Sequence, residues 1–205
     1  MKTLISIILL SMTVSLYGQD KGMQEAATKA FAELKALAGM KEPTMPHVPS
    51  LEALNNARLG EMMPQFMIRL DRLQKYMPTE DPKSLIEKTA RVTFPVVGPE
   101  TEVISSVEVD KVDNVWRTAD LNNAGYVKNF DMVRKENGLM TSQCTLIRVP
   151  AFNLYFLGRD SPAGMEMAYL GDKSFNDIPA KRFMLASQVL PQLSAVAKSY
   201  NGLPW

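Results

Sequence analysis

The side chains able to do acid–base or ligand chemistry are few and scattered. The chain has one histidine, His47, and one cysteine, Cys144. His47 lies in Glu42-Pro43-Thr44-Met45-Pro46-His47-Val48-Pro49, where the spaced prolines forbid both a helix and a central strand. A nucleophilic triad needs an imidazole held within hydrogen-bond reach of its nucleophile. Zinc catalysis needs several His, Cys or carboxylate ligands in one place. Neither is expected here. Cys144 sits in the strand-like run Thr141–Ile147 and reads as a thiol in a sheet, with an intermolecular disulfide as the alternative.

Carboxylates are the remaining catalytic resource. Glu108, Asp110 and Asp113 lie on or beside one strand-like run, with Asp120 nearby. Glu108 and Asp110 have the same parity and so share a face. Glycoside cleavage requires only two placed carboxyl groups. The expected place of this pair is a solvated face opposite Val107 and Val109. A carboxylate-based hydrolase is therefore an alternative reading, not the leading one. No Asp-rich loop has calcium-site spacing, and no glycine-rich phosphate loop follows a strand.

Methionine is the one compositional excess. Of 14 methionines, seven lie between Met23 and Met77. Met62, Phe66, Leu70, Leu73 and Met77 recur at helical spacing, which predicts a packed helix face. A second reading makes Met62, Met63, Phe66 and Met67 an adaptable surface for hydrophobic or polypeptide partners, joined by the C-terminal Trp205. A third assigns Met40, Met45 and His47 to copper(I), since thioether and imidazole are soft ligands. Beyond that alternative, no cofactor is expected.

Elements must hold these residues. Gln24–Ala38 is rich in strong helix formers with an apolar stripe at Ala27, Ala30, Phe31, Leu34 and Leu37. Ser50 can cap a second helix. The interruptions at Gly60 and Pro64 predict a kinked helix or two helices ending before Pro78, and Ser84–Ala90 reads as a short helix. Arg91–Val97 and Glu102–Val112 read as strands, and Val115–Leu121 as a hairpin partner across Asp113-Asn114. Tyr126, Phe130 and Val133 line a helix that Asn122 or Asn123 caps and Gly138 ends. Gln143–Val149, Ala151–Leu157 and Met165–Leu170 read as further strands. In Ala151–Leu157 both faces are apolar, so that strand should be central, with Tyr155 in the core. The last helix is expected to start near Asp177 and Pro179, with Pro191 inside it and Gly202 at its end.

The expected fold is α+β. Residues 19–90 form an N-terminal segment of two or three helices, with a Pro-rich linker at 42–49. Residues 91–205 form a mostly antiparallel sheet packed with two helices, a degenerate repeat of hairpin–helix units.

The address comes from residues 1–18. Lys2, the apolar run from Leu4 to Leu10 and the small Gly18 have the layout of a secretory signal peptide. That apolar run is well short of the roughly 20 residues a membrane span needs. The mature chain is then expected to begin near Gln19, without a membrane span, in the periplasm or outside the cell. Lys+Arg number 23 and Asp+Glu 22, with no basic block, so no nucleic-acid partner is expected. The sequence therefore reads as an exported binding or envelope-associated module rather than an enzyme.

Overall fold

A computed structural model of the chain describes residues 21–40 and 48–200. The expected signal peptide, Met45, His47, Gly202 and Trp205 fall outside the described residues.

The first helix, α1, spans Lys21–Gly39. Small residues let it lie close on the sheet: Ala26, Ala27 and Ala30 are buried with Leu34 against Phe94, Val96, Val107 and Val109. Helix α2 (Leu51–Asn55) is capped by Ser50, whose hydroxyl accepts from the Ala53 N–H at 3.1 Å. Two short strands follow, β1 (Arg58–Leu59) and β2 (Met63–Ile68), then the short helix α3 (Leu70–Lys75).

Strand β2 corrects the helical expectation over Met63–Ile68, while Leu70–Lys75 is helical as expected. The apolar spacing fits a helix, but Gly60 and Pro64 break one. Met63–Ile68 instead enters the middle of the sheet. Pro64 is tolerated there because it sits one residue before pairing with β6 (Thr145–Val149) begins, beside a register shift against β3 (Ile86–Val97). Strand β3 also starts earlier than expected, after a 3₁₀ turn at Pro82–Leu85, so Ser84–Ala90 is not a helix of its own.

Strands β4 (Val103–Val112) and β5 (Val115–Leu121) form the expected hairpin. Its turn residues Asp113 and Asn114 both have positive φ, 51° and 61°, the twist that a two-residue hairpin turn requires. Helix α4 (Ala124–Glu136) follows, and Gly138 at φ 62° turns the chain away from it. Strand β6 then leads through a 3₁₀ turn at Pro150 to β7 (Leu154–Ser161), β8 (Gly164–Tyr169) and β9 (Phe183–Leu185). Helix α5 runs from Ala186 to Ser199, with Pro191 inside it. It starts later than the expected Asp177, because Phe183–Leu185 pairs with β8 instead.

The sheet order is β5-β4-β3-β2-β6-β7-β8-β9, with β1 beside β3. Among the described strands only the central β2–β6 pair is parallel. Along the sheet, β2 to β5 are followed in the chain by α4 and β6 to β9 by α5, with β1 and α3 outside this pattern, and the two groups of four meet at that parallel pair. Their helices lie on opposite faces. Tyr155 and Leu157 point toward α4, while their neighbours Leu154 and Phe156 point toward α5. Helices α1, α3 and α5 cover one face, and α4 covers the middle of the other. No helix among the described residues is long and apolar enough to cross a membrane.

Candidate functional site

Strand alternation separates apolar from polar residues along β3 and β4. Val92, Phe94, Val107 and Val109 face α1. Thr93 and Glu108, paired across the two strands, face α4. Glu108 was expected on a solvated face. It is 1% exposed, because α4 lies over it. A buried carboxylate must have its oxygens satisfied, and both are. Oε1 accepts from the Tyr126 hydroxyl of α4 at 2.6 Å. Oε2 faces Arg91 Nη1 at 3.4 Å.

The bonds behind Glu108 have one consistent direction. The buried Gln65 amide donates to Thr93 Oγ1 at 2.7 Å. That hydroxyl is 3.1 Å from the Tyr126 oxygen. Since the Tyr126 proton is used on Glu108, Thr93 must donate to Tyr126. Gln65, Thr93, Tyr126 and Glu108 thus form one chain in which every proton points toward the carboxylate. Burial, followed by the Glu108 charge, pushes the Tyr126 phenol well above its ordinary value. Its ring stacks on Tyr155, with centroids 3.9 Å apart and planes 2° from parallel.

A bulge places the cation at the end of this chain. Between Pro64 and Phe66 of β2, the partner residues on β3 step from Val92 to Lys88, so β3 carries extra residues there. The Thr89 hydroxyl holds the bulge by donating to the Gln65 carbonyl at 2.8 Å and accepting from the Arg91 N–H at 3.1 Å. Bulges re-aim side chains. Arg91 here spans Glu108 and Asp110, with Nη2 3.5 Å from Asp110 Oδ2. In front of it opens a recess of about 260 Å³ lined by Gln65, Met67, Thr89, Arg91, Asp110 and Arg148, among others.

Arg148 is the second cation. It stands on β6 opposite Tyr155 of β7, and its Cζ lies 5.4 Å from the Tyr155 ring centroid. Burial raises the Tyr155 phenol while Arg148 opposes that shift.

The residues singled out by sequence are spread through the fold. Met67 lines the recess. Met63 is buried under α4 and floors a separate groove of about 480 Å³ with Val103, Val127 and Phe130. Phe66 packs on the α5 side, and Met62 packs in the cluster beneath α1. A strand sends alternate residues to opposite faces, so these four do not share one patch. Met40 is 63% exposed just beyond α1. Among the described residues no group of three or more His, Cys, Asp or Glu is placed to hold a metal ion. Cys144 is half-buried just before β6, and its thiol donates to the Met140 carbonyl at 3.4 Å. Burial pushes that thiol up.

Sequence reasoning placed Glu108 and Asp110 on one face but missed Arg91, Tyr126 and Arg148 as their neighbours. Tyr126 reads as part of a helix's apolar stripe, and each arginine as an ordinary strand residue. Compared with protein-family models, with curated proteins and with solved structures, the chain matches none of them.

Proposed function

We propose that this protein is an exported binding module whose ligand occupies the recess at the β3 bulge. The observation that carries the reading is the one-directional hydrogen-bond chain behind the recess. It fixes the polar wall before any ligand arrives, and preorganisation is what lowers the cost of binding. Export is supported by the layout of residues 1–18.

Catalysis is less well supported by the same geometry. A hydrolase needs a carboxyl facing its substrate. Both oxygens of Glu108 are already engaged, by Tyr126 and Arg91. These groups serve to hold a wall rigid.

The test uses protein purified without denaturant from its own cell envelope. One half is unfolded in urea, dialysed and refolded. A ligand at one hundred times its dissociation constant stabilises by about 2.7 kcal/mol. For a domain of this size that is a melting temperature roughly 5–10 °C higher. The refolded half should melt lower, and the small-molecule extract should restore it. Identical melting of both halves, unmoved by the extract, would contradict the reading.

A second reading keeps a polypeptide partner. It is favoured by the larger groove over Met63, whose apolar floor is rimmed by Arg58, Glu61 and Arg134. Binding of an apolar reporter dye to the folded protein, competed by an apolar peptide, is its expected signature.

A further inference from the structure

We propose that the recess recognises a small monocarboxylate, and that Arg148 is the residue that holds it. This rests on reading the recess as a ligand site and adds the chemical class of the ligand.

The other half-buried arginines, Arg91, Arg134 and Arg159, have acidic partners. Arg134 pairs with Asp131 and Arg159 with Glu166. Arg91 is shared between Glu108 and Asp110. Arg148 is half-buried and makes no ion pair with any described residue. Its Nε is sealed from solvent and has no hydrogen-bond partner. A guanidinium taken out of water without a counter-charge is costly. The cation–π contact with the Tyr155 ring offsets part of that cost. With Nε sealed, the terminal nitrogens are the donors left to meet a ligand.

Charge balance selects the class. Of the charged residues that line the recess, Asp110 is engaged by Arg91, so the positive charge left to meet a ligand is that of Arg148. A carboxylate places one negative charge against that guanidinium, where a planar fork of N–H donors matches it. A phosphate dianion would bring a second charge toward Asp110. The volume, about 260 Å³, lies just below the usual range for drug-sized ligands, so a small acid fits.

The experiment is an NMR titration of the folded mature protein, following the Arg148 Nε–H resonance, with the Arg91 Nε–H as a second probe. Three compounds are added separately: propionate, propionamide and inorganic phosphate. Propionate should shift Arg148 saturably in the millimolar range, while propionamide and phosphate leave it in place. Arg148→Lys keeps the charge but loses the fork, and should weaken propionate by about tenfold. Arg148→Gln should abolish the response. Should Arg148→Gln fail to fold, the wild-type titration and Arg148→Lys still decide. Equal or larger shifts with propionamide or phosphate would overturn the carboxylate assignment while leaving the recess a binding site. Silence with all three probes would overturn the assignment. If the refolding test also showed no change, the binding-site reading would fall with it.

Discussion

Val92, Phe94, Val107 and Val109 look toward α1, while their strand neighbours Thr93 and Glu108 look toward α4. Both sets are buried. On the α1 side burial follows from the hydrophobic effect alone, at about 25 cal/mol for each Å² of apolar surface removed from water. On the α4 side the same burial would be costly without the chain of bonds from Gln65 to Glu108. The difference teaches what burial demands of each face. An apolar face needs only complementary shape. A buried polar face needs every donor and acceptor positioned.

Substitutions can break this comparison in graded steps. The largest effect should come from the apolar side. Phe94→Ala opens a cavity beneath α1 and should cost about 3–5 kcal/mol in urea unfolding. Recess properties, such as the Arg148 resonance, should survive wherever the variant is folded.

Tyr126→Phe attacks the polar side with almost no change of volume. It leaves Glu108 Oε1 and the Thr93 hydroxyl without their partner, and should cost about 1–3 kcal/mol. A loss below a few tenths would mean that the chain contributes little to the fold.

The pH dependence sharpens the same contrast. The Tyr126 phenol is held well above 10.0 by burial and by Glu108. A group whose folded pKa is raised contributes stability that is full below its unfolded value and lost as pH rises through the folded one. Stability should therefore fall once pH passes about 10, the ordinary tyrosine value. The fall should be shallower in Tyr126→Phe, read as urea midpoints across the alkaline range. It should not vanish, since burial also raises Tyr76, Tyr155 and Tyr169.

A contact outside both faces sets the lower bound. Lys83 pairs with Asp160 at 2.8 Å on the exposed surface. Lys83→Ala should leave the urea midpoint almost unchanged, and more nearly so at high salt.

Local signals were read well from sequence. The stripe of α1, the Ser50 cap and the Asp113-Asn114 turn each depend on residues within a few positions of one another. Strand β2 was not legible. It is covered on both faces and contains Pro64, so neither period-2 alternation nor uninterrupted β-propensity marks it. The late start of α5 has a similar cause, since Phe183–Leu185 becomes a strand only by pairing with β8. For the site, parity placed Glu108 beside Asp110. What parity cannot supply is the helix that covers them. That cover, the β3 bulge and the approach of β6 all arise from pairings distant in sequence, and they turn an expected solvated face into an interior wall.

The most direct test closes the recess without touching the chain behind it. Ala90 lines the recess and is exposed, so Ala90→Trp narrows the mouth while Gln65, Thr93, Tyr126 and Glu108 keep their partners. Wild type and variant are purified in parallel from the native host and compared by native mass spectrometry. The account predicts one small ligand per wild-type chain, released on activation, and a bare variant that melts like the ligand-free wild type. Equal occupancy in both proteins, or a bare chain in both, would contradict it.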